Sequence, residues 1–221
     1  MICACRDPFM PRPNARIFGI GQNYRAHALE LGKGIPTVPN VFLRPMSSYL
    51  PNGLALVIPP ISRMMDWEVE LAVIIGKAGR YIDAVHALEH VAGYCVAIDF
   101  TEREFQNKES QWTPGKIFDG TLPLGPALIS AEHVPNLQAL ALSLTVNGHT
   151  MQQSSTSDMI FSVAELIAYL SQPTELQPGD VIITGTPSGV GHGRNPKVYL
   201  KSGDRVVATV AGLGSLDIRV D

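Results

Sequence analysis

Short apolar segments rich in β-branched residues recur along the chain, and glycine and proline separate them. Their composition predicts strands over residues 57–58, 69–75, 91–98, 141–146, 181–184 and 205–210. Helical periodicity is confined to 24–31, 85–89 and 161–171, the last with Ser162 as N-cap and Glu165 three residues on. Strands and helices do not alternate, so the pattern predicts a β-rich α+β fold: a rolled, mixed β-sheet with few peripheral helices.

Composition is that of a globular protein. Of 221 residues, 45% are hydrophobic and 17% are charged, which is typical of a large, well-packed core. We expect a single domain over 1–221, with an N-terminal extension at 1–14. Two segments rich in glycine and proline, 32–40 and 188–197, are predicted to be loops able to cover a site.

Charge and cysteine content argue against several kinds of partner and site. The net charge of −3 and the scattered basic residues argue against a nucleic-acid partner. Three cysteines (Cys3, Cys5 and Cys95) at this spacing predict neither a disulfide framework nor a zinc site. No segment has the pattern of a signal peptide or a membrane span, so we expect a cytoplasmic protein without a membrane partner.

Two carboxylates open the apolar strand predicted at 69–75. Glu68 and Glu70 stand at i and i+2, so their side chains share one face beside a hydrophobic wall, which is costly unless a cation lies between them. Asp99 ends the next apolar strand and offers a third oxygen ligand, a set typical of Mg²⁺ or Mn²⁺ rather than zinc. The alternative is that Glu68 and Glu70 form an exposed edge face and that Asp99 is a turn residue.

A histidine and a glutamate on a predicted helix form a second candidate. His27 and Glu30 stand three residues apart and therefore share one helix face. A carboxylate that orients an imidazole makes a base able to activate water near neutral pH. The alternative is an ordinary contact on a helix surface.

Several polar groups are candidates for binding an anion. The strand at 181–184 leads into a glycine and proline turn that presents backbone N–H groups and the Thr186 hydroxyl, and a simple loop is the alternative. Lys116, Arg103 and Gln106 are placed to serve an anionic substrate, although each fits a surface position as well. The glycines after the turn lack the order of a dinucleotide fingerprint, and the chain has no Walker lysine motif.

Taken together, these segments resemble the C-terminal catalytic domain of fumarylacetoacetate hydrolases, in the short, single-domain acylpyruvate hydrolase or oxaloacetate decarboxylase type. The resemblance spans nearly the whole chain and rests on the order and spacing of the motifs. The motifs are G-x-N-Y-x-x-H-x-x-E at 21–30, F-L-R-P at 42–45, D-W-E-x-E-L at 66–71, G-Y-x-x-x-x-D at 93–99, K-x-F-D at 116–119, V-N-G at 146–148 and G-D-V-I-x-T-G-T-P-x-G-V-G at 179–191.

The resemblance implies a metal site, a base and a homodimer. The ligands that it implies for one Mg²⁺ or Mn²⁺ are Glu68, Glu70 and Asp99. The catalytic residues that it implies are the general base His27 with Glu30, and Lys116. By the same matching, the residues that contact substrate are Arg103, Gln106, Thr186, Arg44 and Ser47. Arg44 departs from the lysine that the family often carries there, which keeps the charge but changes the shape of the group.

These expectations lead to three hypotheses for function. The first is metal-dependent hydrolysis of a C–C bond in an acylpyruvate, such as fumarylpyruvate or acetylpyruvate, giving pyruvate and a carboxylic acid. The second is decarboxylation or tautomerisation of oxaloacetate, or isomerisation of a 2-hydroxy-dienedioate, at the same metal–enolate site. The third, a non-catalytic 2-oxo acid binder, does not account for a retained base at His27 and Glu30.

Overall fold

The computed structural model describes residues 10–32, 34–108 and 110–221. The strands are β1 (Ile17–Gly21), β2 (Asn40–Arg44), β3 (Tyr49–Leu50), β4 (Met65–Asp66), β5 (Val69–Ile75), β6 (Val91–Ile98), β7 (Thr101–Glu102), β8 (Leu122–Ser130), β9 (Ala141–Val146), β10 (His149–Ser155), β11 (Val181–Ile183), β12 (Arg205–Val210) and β13 (Gly214–Arg219). The α-helices are α1 (Arg25–Glu30), α2 (Arg103–Gln106) and α3 (Val163–Leu170). Short 3-10 helices cover Met46–Ser48, Ala84–His90, Thr113–Gly115, Ala131–His133, Leu137–Ala139, Thr156–Asp158 and Gly191–Gly193.

A seven-stranded sheet with the order β2-β1-β11-β5-β6-β8-β3 curls into a half-barrel. Strands β1 and β11 pair in parallel, as do β3 and β8, and the other neighbours are antiparallel. This architecture confirms the predicted rolled, mixed sheet with few helices. All seven residues of β5 are buried because the strand lies inside the sheet, between β11 and β6.

A second, four-stranded antiparallel sheet has the order β10-β9-β12-β13. Its apolar side chains, such as Leu144 on β9 and Val206 on β12, join those of the large sheet, such as Leu71 and Val96, in one buried core. A two-stranded pair, β4 with β7, lies beside the start of β5. No helix of the described residues is long and apolar enough to cross a lipid bilayer.

Most of the predicted elements are present. The strands predicted at 69–75, 91–98, 141–146 and 205–210 are confirmed to the residue, and the one at 181–184 ends one residue earlier. The helix predicted at 24–31 is α1, and that at 161–171 is α3, which begins with the predicted capping box of Ser162 and Glu165. The helix predicted at 85–89 is a 3-10 helix.

The strand predicted at 57–58 is wrong. Leu56 alone makes a bridge, with Val220, and Ile58 donates its N–H to the Asp221 carbonyl at 3.0 Å. The segment therefore runs beside the end of the chain, but Pro59 and Pro60 follow and have no N–H to extend a ladder.

Candidate active site

The three predicted metal ligands meet in the buried interior of the large sheet. Glu68, Glu70 and Asp99 are 5%, 1% and 0% exposed, and one carboxylate oxygen of each lies within 4.8 Å of the others. Pairing of Val69 with Ile98 brings the start of β5 to the end of β6, which explains the meeting. An exposed edge face is excluded because β5 is an interior strand.

Three buried cations contact this carboxylate triad: Lys116, Arg103 and, through Asp99, Arg44. The Lys116 ammonium lies 2.7 Å from Glu68 Oε2 and 2.6 Å from Thr101 Oγ1, and it also pairs with Asp99 Oδ2. Arg103 Nη2 lies 2.6 Å from Glu68 Oε1. Neither Lys116 nor Arg103 is a surface residue, since their exposed fractions are 2% and 4%.

Burial and the neighbouring charges shift the pKa values of Glu70 and Glu68 in opposite directions. Burial, followed by the charges of Asp99 and Glu68, raises the pKa of Glu70 well above its usual value. Burial would also raise the pKa of Glu68, but the charges of Lys116 and Arg103 together outweigh it and lower that pKa. Glu70 is therefore unfavourable as an anion unless a cation lies beside it. Three carboxylate oxygens this close together are ligands that suit a divalent ion such as Mg²⁺ or Mn²⁺.

The predicted dyad is formed on α1. His27 Nδ1 lies 3.0 Å from Glu30 Oε2, and the His27 side chain is 5% exposed, so the pair is not an ordinary surface contact. With the Nδ1 proton directed at the carboxylate, Nε2 is the nitrogen left to accept a proton. The second oxygen of Glu30 accepts the Gly189 N–H at 2.8 Å.

The turn after β11 does bind a carboxylate, and that carboxylate is Glu70. The Gly185 N–H donates to Glu70 Oε2 at 2.7 Å. The Thr186 hydroxyl donates to the Val69 carbonyl at 2.9 Å and accepts from Gln152 Nε2 at 2.8 Å. The turn therefore holds a triad carboxylate in place, and the Thr186 hydroxyl proton is already used within the protein.

Most of the predicted site residues line one cavity of about 160 Å³. Its size is close to that of an engineered protein cavity of about 150 Å³ that binds benzene, so it suits a small molecule. The predicted site residues that line it are His27, Glu68, Glu70, Asp99, Arg103, Gln106, Lys116 and Thr186. Arg103 Nη1 donates to Gln106 Oε1 at 2.9 Å and so orients the Gln106 amide.

Two predicted substrate contacts lie elsewhere. Among the described residues that line the cavity, neither Arg44 nor Ser47 occurs. The Arg44 guanidinium is buried behind Asp99, where it pairs with Asp99 Oδ1 and donates to Thr121 Oγ1 at 2.5 Å. Ser47 is exposed, and its carbonyl accepts the Gly120 N–H at 3.0 Å. Direct contact of either residue with a ligand in this cavity is therefore not supported.

Sequence reasoning gave no role to several residues around the cavity. Asp66 is fully buried and accepts from Arg103 Nε at 2.8 Å and from the Gly191 and His192 N–H groups at 2.7 and 2.9 Å. Its place in the D-W-E-x-E-L motif was the available signal. The further lining residues without a predicted role include Ile20, Gln22, Leu31, Phe42, Asn107 and His192.

Comparison with known proteins identifies the family of this chain. The profile of the family described as "Fumarylacetoacetate (FAA) hydrolase C-terminal" matches residues 16–221. The mitochondrial oxaloacetate tautomerase FAHD2A of Bos taurus is 43% identical over 205 residues, which cover 92% of this chain and 65% of that protein.

Solved structures share the fold. Fumarylpyruvate hydrolase from Pseudomonas aeruginosa, in complex with Mn²⁺ and pyruvate, matches with a TM-score of 0.84 and 38% identity over 93% of this chain and 88% of that chain. The 5-carboxymethyl-2-hydroxymuconate delta-isomerase from Mycobacterium smegmatis matches with a TM-score of 0.83 and 33% identity over 94% of this chain and 79% of that chain. These relatives are a tautomerase, a hydrolase and an isomerase, and this chain belongs to their family, the fumarylacetoacetate hydrolases.

Proposed function

We propose that this protein is a Mg²⁺- or Mn²⁺-dependent hydrolase that cleaves the C–C bond of an acylpyruvate to give pyruvate and a carboxylic acid. The observation that carries the proposal is that the His27 base and the carboxylate triad line the same small cavity. Similarity to a fumarylpyruvate hydrolase with bound Mn²⁺ and pyruvate supports both the ion and the product. A small 2-oxo acid is the chemical class that suits such a site.

The residues that would hold the ion are Glu68, Glu70 and Asp99. An ion bound there would supply a Lewis acid for the carboxylate and 2-oxo oxygens of the substrate. Lys116, in contact with two of the three carboxylates, is placed to offset negative charge that develops on the 2-oxo oxygen. Gln152 and Gly185 hold the neighbouring turn and Glu70 in place.

His27 performs the proton transfers. Its Nε2 accepts a proton from water, whose oxygen attacks the distal carbonyl carbon of the acylpyruvate. The bond between that carbon and the methylene carbon then breaks, and its electron pair passes to the enolate of pyruvate. The proton held on His27 is returned to the methylene carbon, which balances the reaction. Glu30 stabilises the imidazolium formed in between, through its 3.0 Å contact with Nδ1.

Tautomerisation or isomerisation is the second candidate. It is favoured by the 43% identity to a bovine oxaloacetate tautomerase and by the similarity to an isomerase. These reactions move a proton through the same enolate, with His27 as the base, and they need no attack by water. Decarboxylation of oxaloacetate would use the same enolate.

The deciding experiment is an assay of metal-stripped protein before and after addition of Mn²⁺ or Mg²⁺. Acetylpyruvate and oxaloacetate are tested separately, with loss of enol absorbance and release of pyruvate followed against blanks that contain metal alone. Metal-dependent pyruvate release from acetylpyruvate supports the hydrolase. Pyruvate from oxaloacetate alone indicates a decarboxylase, and enol loss without pyruvate indicates a tautomerase. No metal-dependent change on either substrate contradicts the proposal.

We also propose that the protein is a homodimer. β2 is an edge strand of the large sheet, and Val41 and Leu43 on it are 40% and 54% exposed. Exposed apolar side chains on a sheet edge favour association unless another surface covers them. Light scattering should give twice the 23.9 kDa chain mass, and the chain mass itself would contradict the proposal.

A further inference from the structure

Gln22 lines the cavity with a strained backbone and an unpartnered hydrogen-bond donor. It directly follows β1, and its φ of 57° lies in the left-handed region that glycine adopts most readily. Its side-chain nitrogen Nε2 is buried and has no hydrogen-bond partner among the described residues. A buried unpaired donor costs free energy, and strained residues occur preferentially at functional sites. Both features indicate that the Gln22 amide binds a ligand in the cavity.

Asn40 sets the direction of this amide. Asn40 Nδ2 lies 3.3 Å from Gln22 Oε1, and because an amide nitrogen can only donate, the oxygen of Gln22 is the acceptor. The Gln22 nitrogen is therefore turned away from Asn40, which is not among the described residues that line the cavity. Gln22 thus offers an N–H group, and the ligand group that it binds must be a hydrogen-bond acceptor.

Gln22 lies away from the strand that carries the metal ligands. Strand β11 separates β1 from β5 in the large sheet. Continued by two residues, the register of these strands places Gly21 level with Gly185, and Gly185 level with Glu70. Two strand spacings, about 10 Å, therefore separate Gly21 from Glu70. Gln22 faces the part of a ligand that extends away from the carboxylate triad.

The donors nearer the triad are already used within the protein. The three protons of the Lys116 ammonium have three acceptors. The Arg103 guanidinium contacts three side chains through Nε, Nη1 and Nη2, and the Thr186 hydroxyl donates to a backbone carbonyl. Gln22 Nε2 can therefore bind an oxygen of the ligand without breaking a contact of the folded chain.

We propose that Gln22 Nε2 donates a hydrogen bond to the distal carbonyl oxygen of the acylpyruvate. This inference rests on the proposed function and adds a residue to it. The distal carbonyl carbon is two bonds from the 2-oxo carbon, so it extends away from the triad when the 2-oxo acid end is bound there.

The Gln22 N–H would stabilise charge that forms during the reaction. When the oxygen of water bonds to the distal carbonyl carbon, the π electron pair of that carbonyl passes to its oxygen. A buried amide donor directed at this oxygen stabilises the negative charge. The pair returns to form the carbonyl of the carboxylic acid as the C–C bond breaks. Gln22 transfers no proton, and His27 remains the base.

The test compares two acids of equal chain length, acetylpyruvate (2,4-dioxopentanoate) and 2-oxopentanoate, which differ only in the distal carbonyl. For acetylpyruvate kcat/KM is measured, and for 2-oxopentanoate the dissociation constant from Mn²⁺-loaded protein is measured by calorimetry. Gln22→Met keeps the length of the side chain but has no N–H. Asn40→Asp can only accept, so it reverses the Gln22 amide and turns Oε1 to the cavity. Gln153→Met, at an exposed glutamine of β10, is the matched control.

We expect Gln22→Met to lower kcat/KM for acetylpyruvate by about a hundredfold, the usual order for loss of one oxyanion donor, and Asn40→Asp to lower it by at least about tenfold. The dissociation constant of 2-oxopentanoate should stay within twofold in both variants, and Gln153→Met should change neither quantity. Gln22→Gly suits the left-handed backbone, so it should lose the same activity and unfold at no lower urea concentration.

The outcomes separate this inference from the proposed function. If Gln22→Met keeps wild-type kcat/KM, or weakens binding of 2-oxopentanoate as much as it lowers kcat/KM, Gln22 does not bind the distal carbonyl, while the proposed function stands. If the Mn²⁺-loaded wild type binds 2-oxopentanoate but releases no pyruvate from acetylpyruvate, the proposed function fails, and this inference fails with it.

Discussion

Arg44 and Asp99 form an ion pair in which both side chains are completely buried. Arg44 binds Asp99 Oδ1, whereas Lys116 binds Oδ2, so the two oxygens of one carboxylate have different partners. The rest of the guanidinium contacts Thr121, Ser48 and the backbone. Arg44 thereby fixes the orientation in which Asp99 presents an oxygen to the triad, which makes it a positioning residue.

Replacing Arg44 should therefore impair metal binding without removing a ligand. Removal of one partner from a buried ion pair costs about 3–5 kcal/mol, so Arg44→Met should unfold at markedly lower urea concentration. Arg44→Lys keeps the charge and tests the position: we expect it to fold but to bind Mn²⁺ at least tenfold more weakly, a figure of about 1.4 kcal/mol. Arg205→Met, which breaks an exposed pair with Asp217, is the control and should change neither property. Wild-type Mn²⁺ affinity in Arg44→Lys would show that Arg44 does not position Asp99.

The dyad should control the reaction and leave the metal site intact. His27→Ala should lower kcat by about 10²- to 10⁴-fold, the usual contribution of a general base. Glu30→Gln should lower it less, because it keeps an acceptor for the Gly189 N–H but loses the charge that stabilises the imidazolium. Mn²⁺ affinity should remain within twofold in both variants.

The chain offers a matched control for the dyad. His86 and Glu89 form a second pair three residues apart, at 2.9 Å, but both side chains are more than half exposed. His86→Ala should therefore leave kcat unchanged. Full activity of His27→Ala on every substrate that the wild type turns over would contradict the assignment.

A side chain at Gly191 should impair catalysis. A Cβ there would lie 1.9 Å from the Val198 carbonyl oxygen and 2.8 Å from Asp66 Oδ1, so Gly191→Ala must displace the loop or the Asp66 carboxylate. We expect at least a tenfold loss of kcat/KM in a protein that still folds. Gly203→Ala, where a Cβ meets nothing within 4 Å, should lose some stability through its left-handed backbone and keep its activity. Equal activity of the two variants would show that the loop position is unimportant.

Sequence patterns predicted the buried central strands better than the segments that contain or precede prolines. Strands β5 and β6 are continuous apolar runs because they lie inside the sheet, and period-two spacing was enough to place Glu68 and Glu70 on one face. Strand β8 gave no clear pattern because Pro123 and Pro126 interrupt it. The strand predicted at 57–58 failed for the related reason that two prolines follow it.

The contacts that sequence could not give are those between distant segments. Arg44 was predicted to contact substrate because the F-L-R-P motif matches the family, but its partner Asp99 is 55 residues away. Asp66 gained its role through the pairing of β4 with β7, which brings Arg103 to it, and through the loop at Gly191. Cys3 and Cys5, and most of the expected extension at 1–14, lie outside the described residues.

The Cys95 thiol should make stability fall in alkaline solution. Burial raises the pKa of Cys95 from 9.0 to about 12. Between these values the unfolded chain loses the thiol proton and the folded chain keeps it, so the free energy of unfolding decreases as the pH rises. The expected slope is about 1 kcal/mol per pH unit. Urea unfolding of wild type and Cys95→Ala from pH 8 to 11 isolates this contribution, and identical slopes would refute it.

Glu68, Glu70 and Asp99 should hold one divalent ion per chain, which titration of metal-stripped protein with Mn²⁺, followed by electron paramagnetic resonance, would measure. Glu70→Gln keeps the shape of the ligand and an acceptor for the Gly185 N–H, but removes the charge. We expect one Mn²⁺ per wild-type chain, and at least a hundredfold weaker binding, about 2.7 kcal/mol, in Glu70→Gln. Equal Mn²⁺ binding by the two proteins, or none by the wild type, would contradict this expectation.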